Sequence, residues 1–118
     1  MPIEHVLAVV PASDFDAAHK WYERFFGRPA DNLPMEGLLV EWRVTDNGWV
    51  QVTTDKARAG STLVNFAVDD LERHISDLAR RGLAAGKIET VNKGVQLSPI
   101  VDPDGNTIRI VGNFRINY

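Results

Sequence analysis

The sequence predicts an α+β domain in which one strand–helix–strands module, βαβββ, occurs twice. Three observations predict it. Two helical stripes follow two β-branched segments in the same order, a hairpin signal closes the first half, and a proline–glycine turn punctuates the second. A length of 118 residues suits a single domain, 1–118, with one shared core. Its first module is read as 1–55 and its second as 61–113, with the intervening residues as a linker. Neither module has enough sheet and helix to bury an apolar face alone, so the two are expected to pack together.

The elements follow in order. Ile3 to Val10 is apolar and β-branched, and Pro11 is read as its end. Ser13 with Asp16 three residues on forms a capping box, and Phe15, Ala18, Tyr22 and Phe25 then recur at helical spacing. Gly27 stands where a helix C-cap glycine belongs. The stretch from Arg28 to Gly37 is poorly patterned and reads as an irregular edge strand. Leu38 to Thr45 and Trp49 to Thr54 alternate as strands on either side of the hairpin turn Asp46-Asn47-Gly48. The scheme then restarts. Ser61 to Val68 is a strand, Asp70 is an N-cap, and Leu71, Ile75 and Leu78 make a second stripe ended by Gly82. Lys87 to Asn92, Val95 to Val101 and Thr107 to Val111 are three more strands. The last two are joined by Asp102-Pro103-Asp104-Gly105-Asn106, in which proline presets one turn dihedral and glycine supplies a positive φ.

Side chains alternate across a strand, so parity divides each sheet into two faces. Val6, Ala8, Val10, Val50, Val52, Val64, Phe66, Val68, Ile108 and Ile110 form the face expected under the helices. The opposite face carries His5, Leu7, Val9, Trp49, Gln51, Leu63, Asn65, Arg109 and Val111, joined by Glu41 and Arg43 from one middle strand. On the other middle strand Gln96 and Ser98 are set against Val95 and Leu97, which adds Gln96 to this second face. Polar groups among aliphatic walls are the makeup of a ligand cavity. A one-sided sheet wetted on its outer face gives a similar alternation, although Leu7, Val9, Leu63, Val111 and Trp49 are more apolar than that alternative requires.

Composition narrows the partners. A formal net charge of −3, with Lys and Arg scattered, excludes the basic stripe of a nucleic-acid binder. Without cysteine there is no disulfide, thiolate metal site or thiol nucleophile. No apolar run reaches the roughly 18 residues of a membrane span, and the N-terminal residues lack the pattern of a signal peptide. A cytoplasmic protein with no membrane partner is the expectation.

The run Trp21-Tyr22-Glu23-Arg24-Phe25-Phe26-Gly27 resembles the first-helix signature of the vicinal oxygen chelate superfamily, which includes glyoxalases, bleomycin-resistance proteins and ring-cleaving dioxygenases. Val68-Asp69-Asp70-Leu71 with Ala79-Arg80-Arg81-Gly82 resembles the second, and Asp102-Pro103-Asp104-Gly105-Asn106-Thr107-Ile108 resembles its most recognisable turn. The resemblance implies two βαβββ modules whose sheets curl around a cavity, in a homodimer. It also implies four metal-ligand positions, which fall on His5, Gln51, Leu63 and Arg109, with 58 residues separating the first from the third and the second from the fourth. Superfamily metal sites use two His with one or two Glu. Here Leu63 has no donor atom and Arg109 is a permanent cation, so no metal and no cofactor is expected.

The candidate ligand-binding residues are therefore His5, Glu41, Arg43, Trp49, Gln51, Leu63, Asn65, Gln96 and Arg109. His5 is read as a base, a ligand contact or a hydrogen-bonding residue without a reaction. Arg109 is read either as a clamp for an anionic ligand group or as the partner of Glu41 in a salt bridge. Trp49 suits ligand stacking or a subunit interface. His19 and His74 are read as solvated, and Asp102 and Asp104 as turn-formers. Three functions compete. One is a metal-independent small-molecule binder that sequesters a drug or metabolite with an anionic group. Another is an enzyme (lyase, isomerase or dioxygenase) using His5 as base or a non-standard metal site. The third is a protein-interaction module.

Overall fold

The repeat becomes two four-stranded sheets separated by two helices. In the computed structural model, which describes residues 2–115, β1 (Val6–Ala12), α1 (Phe15–Phe26), β2 (Asn32–Met35), β3 (Leu39–Thr45) and β4 (Gly48–Thr54) form the first module. The second contains β5 (Leu63–Ala67), α2 (Leu71–Arg80), β6 (Glu89–Thr90), β7 (Gln96–Val101) and β8 (Thr107–Gly112). Strand orders are β1-β4-β3-β2 and β5-β8-β7-β6, so each sheet pairs its first and last strands in parallel and its other neighbours antiparallel. The sheets stay separate and do not close on one another. Among the described residues no helix is long and apolar enough to cross a membrane.

Both helices contribute to one core between the sheets. Phe15, Ala18, Tyr22 and Phe25 of α1 and Leu71 and Leu78 of α2 are buried with Val10, Val40, Val50, Val52, Ile108 and Ile110. Trp42 is fully buried, packs its ring 5.3 Å from Phe26, and donates from Nε1 to the Arg28 carbonyl at 3.1 Å, so its one polar atom is satisfied. Phe66 of β5 reaches Phe25 and Phe26 of α1, at ring separations of 5.8 and 5.9 Å, and ties the modules together.

The helix C-termini are joined by a reciprocal clasp. Arg24 donates to the carbonyls of Arg81 and Gly82, both at 3.0 Å, and Arg81 donates back to those of Arg24 and Phe25. Each guanidinium thus covers carbonyls that the helix itself leaves unpaired. The glycines after the helices make room. Both have positive φ, and a Cβ on Gly82 would lie 2.5 Å from Arg24 Nη2, while one on Gly27 would lie 3.0 Å from Arg81 Cζ.

At the other end the turn from Asp102 to Asn106 locks the modules through buried polar groups. Asn106 accepts from Gly60 N (2.9 Å) and Thr62 N (3.1 Å) and donates to Pro11 O and Asp102 Oδ2, both at 2.9 Å. Asp102 also accepts from the backbone of Asp104 and Asn106 and from the Tyr22 hydroxyl at 2.6 Å. Burial, and then the hydrogen bond to Asp102, push the Tyr22 phenol far above its ordinary pKa. Both turn aspartates are structural, as the sequence implied.

Several expectations are corrected. Pro11 does not end β1, because an edge strand tolerates proline and Pro11 stays in register with Thr53. The α1 N-cap is Asp14, whose carboxylate accepts from Ala17 N, and not Ser13. Ser13 instead gives its amide and hydroxyl to Asp104, 91 residues away. The segment from Lys87 to Asn92 contributes only two strand residues before a turn in which Lys93 has a φ of 56°. His19 and His74 are half-buried rather than solvated: His19 meets Phe15 and Trp42 edge-on, and His74 meets Phe25.

Candidate functional site

The register assigns the outer faces. On the first sheet Leu7, Trp49 and Arg43 stand side by side, as do Val9, Gln51 and Glu41. On the second, Asn65 lies beside Arg109 and Pro99, and Ala67 beside Val111 and Leu97. Val10, Val50, Val52, Ile108 and Ile110 point the other way into the shared core, so each outer face looks away from it.

One assigned residue moves to the other side. Ser98 is opposite Ile110 and fully buried, its hydroxyl donating to Gly86 O at 2.7 Å. Gln96, two residues earlier and opposite Gly112, shares that inner side. The outer positions on β7 are Leu97, Pro99 and Val101. A buried serine with a satisfied hydroxyl reads as polar in sequence, which inverted the expected parity of this strand.

The polar groups of the first face engage one another. Gln51 donates to Glu41 Oε2 at 2.8 Å, and Asn32 donates to Glu41 Oε1 at 3.2 Å. The anticipated Glu41–Arg109 pair is not formed, since the two residues sit on different sheets. Arg43 donates from Nε and Nη2 to Asp46 O at 3.0 and 2.6 Å, which closes the β3–β4 hairpin. His5 precedes β1 and is exposed, and it has no hydrogen-bonded carboxylate among the described residues.

On the second face Arg109 is half-buried. Its Nε donates to Asn65 Oδ1 at 2.9 Å, which leaves the two terminal nitrogens without a hydrogen-bond partner among the described residues. Asn65 also borders a cavity of about 460 Å³, walled by Val91, Val95, Leu97, Val111 and Phe114 with Asn92 at the rim. No charged side chain lines it. An apolar cavity whose lining residue Asn65 holds an arginine with unengaged terminal nitrogens suits a mostly apolar molecule with one anionic group. Sequence reasoning missed Leu97, Val95 and Phe114. Val95 and Leu97 alternate with Gln96 and Ser98 and so read as the inner face, and Phe114 stands beyond the last strand read from the sequence.

Gln51 belongs to the first sheet, with His5 just before its β1, and Leu63 and Arg109 belong to the second; among the described residues no hydrogen bond joins the two sets. Trp49 is likewise on the opposite sheet from Arg109. The four positions do not fit a divalent ion: Leu63 offers no donor and Arg109 is a cation bonded to Asn65. Among the described residues no group of three His, Cys, Asp or Glu is placed to hold a metal.

Two open-faced βαβββ sheets around a shared helical core, with an apolar cavity on one face, define the class of protein. The comparisons with solved structures agree. The chain is similar to a glyoxalase/bleomycin resistance protein from Catenulispora acidiphila, with 29% identity over 92% of this chain and 96% of that one and a TM-score of 0.85. It is also similar to a bleomycin-binding protein complexed with bleomycin (19% identity, 92% and 98% covered, TM-score 0.74). A third similar structure is a lactoylglutathione lyase from Agrobacterium tumefaciens (18% identity, 96% of each chain, TM-score 0.73). No family model and no curated protein matches the chain. The chain has the glyoxalase/bleomycin resistance fold, and its structural neighbours are proteins of that type, consistent with the vicinal oxygen chelate superfamily.

Proposed function

We propose that this protein is a metal-independent binder of a small, mostly apolar molecule bearing an anionic group, and that it sequesters this ligand without transforming it. The observation that carries the reading is the pairing of the neutral cavity beside Asn65 with the unpaired terminal nitrogens of Arg109. The ligand's apolar body fills the cavity and its anion meets the guanidinium. The bleomycin-bound neighbour supports small-molecule binding by this fold. Leu63 extends the apolar surface beside this site. His5, Glu41, Trp49 and Gln51 join the site across a homodimer, in which the first-sheet face of one copy covers the second-sheet face of another. Exposed Leu7 and Val9 on one face and Leu63 and Val101 on the other give such an association apolar surface to remove from water.

The test uses two dyes of nearly the same ring shape. One is 8-anilinonaphthalene-1-sulfonate, which is anionic, and the other is neutral N-phenyl-1-naphthylamine. The sulfonate is expected to bind more tightly. Arg109→Leu removes a charge-assisted bond at a half-buried site and weakens the sulfonate about 10- to 100-fold, while the neutral dye changes little. Equal losses for both dyes, or a loss matched by unfolding, would refute an anion-binding role for Arg109.

A further inference from the structure

Where the two modules meet, a second recess of about 420 Å³ opens beside the free edge of β5. Its walls are Phe25 and Phe26 at the end of α1, Phe66 and Val68 after it, and Val44 at the end of β3. Phe66 stands 5.8 Å from Phe25 and 5.9 Å from Phe26, and the His74 ring lies 6.4 Å from Phe25 at 62°. Three residues with polar side chains complete the lining: Thr45, Asn65 and His74. Among the described residues neither Thr45 Oγ1 nor Asn65 Nδ2 nor His74 has a side-chain hydrogen bond. Arg109 fixes the amide's orientation, because its Nε–H requires the oxygen of Asn65 and so turns Nδ2 into a donor free for something else.

The recess sets aromatic walls beside donors that no protein group engages, Thr45 and Asn65 being exposed and His74 half-buried. Those two features together mark a ligand site. We infer that this seam is a second binding site, for a neutral aromatic molecule carrying a hydrogen-bond acceptor. The rings offer edge and face contacts to an aromatic guest, and Thr45 and Asn65 offer donors to its acceptor. No lysine or arginine lines the seam, so nothing in its walls offsets the desolvation of an anion. Burial, with Arg81 beside it, lowers the His74 pKa, so the imidazole faces the guest uncharged at neutral pH. The seam is separate from the cavity on the second sheet, although both border Asn65 and Ala67, and it makes no use of Arg109's charge.

The experiment follows Val and Leu methyl signals of the full chain by NMR during titration with acetophenone, and with ethylbenzene as the analogue lacking an acceptor. Acetophenone is expected to shift the Val44 and Val68 methyls, and ethylbenzene to bind about three- to tenfold more weakly, the scale of one net hydrogen bond. Val44→Trp, which fills the mouth from a partly exposed position, is expected to abolish the shifts, whereas Leu97→Trp, which fills the outer cavity, leaves them intact. Thr45→Val keeps the shape and brings acetophenone to the level of ethylbenzene. If acetophenone shifts only Val95, Leu97 and Val111, or shifts nothing at millimolar concentration, the seam site is overturned and the outer cavity stands or falls by the dye test. Contacts between Val44 or Val68 and a second protein chain would overturn it too, by showing that protein occupies the recess.

Discussion

Asn106→Ala should be among the most damaging single substitutions in this chain, although Asn106 touches no ligand surface. The side chain is 1% exposed and makes four hydrogen bonds, to Gly60 N, Thr62 N, Pro11 O and Asp102 Oδ2, at 2.9 to 3.1 Å. Each such bond contributes about 1 kcal/mol net, and the two amides and one carbonyl left behind in a buried place add to the loss. The expected cost is about 3–5 kcal/mol. At about 2.1 cal/mol/K per residue a chain of this length loses about 4 °C per kcal/mol, so the melting temperature should fall by roughly 12–20 °C. Urea unfolding gives the free energy, and an unchanged m-value would show that the native state, not the unfolded one, was altered. Tyr22→Phe removes only the bond to Asp102 and should cost about 1.5–3 kcal/mol, the range for a bond to a charged acceptor. An Asn106→Ala loss below about 1 kcal/mol would refute the assignment of the turn as the joint between the modules.

Three further outcomes follow from the same structure. Arg24→Gln and Arg81→Gln should couple in a double-mutant cycle, by about 0.5–3 kcal/mol in urea unfolding, because each guanidinium caps the other's helix end. Stability should depend on pH in two windows. The lowered pKa of His74 makes its contribution complete above about pH 6.5 and progressively lost below it, and His74→Gln should flatten that slope. Asp31, whose pKa is lowered first by the Arg43 amide and then by Arg28, contributes above about pH 4 and is lost as pH falls further, an effect Asp31→Asn should remove. Light scattering should give a dimer mass at micromolar concentration, and Leu7→Lys with Leu63→Lys should return it to a monomer.

The architecture was legible because the module occurs twice and each copy carries its own helical stripe, C-cap glycine or turn. Local signals sufficed for Gly27, for Asp70 and for the hairpin around Asp46. They failed where a distant partner decides. Ser13 looks like an N-cap until Asp104 of the other module claims its hydroxyl, and Asp14 then takes the cap. Glu41 and Arg109 look like a salt bridge on one surface. The register instead places Glu41 beside Gln51 and the core places Arg109 on another sheet, and no periodicity in a sequence reports which sheet faces which.

The site was half legible for a related reason. Assigning faces by polarity works on β4, where Val50 and Val52 are buried and Trp49 and Gln51 stay half-exposed. It inverts β7, where the buried member is Ser98 and the outward ones are Leu97, Pro99 and Val101. That inversion carries meaning. A sheet face meant only for water has no reason to set Leu97 beside Val111 in one cavity with Val91 and Phe114, which are 45% and 51% exposed and forgo about 25 cal/mol for every Å² of apolar area left in water. An apolar outer face next to a half-buried arginine with free donors is what the proposed ligand would cover. The residue that sequence parity placed inside, Leu97, is thus the one whose replacement by Trp should most directly close the outer cavity to both dyes while leaving the core beneath it intact.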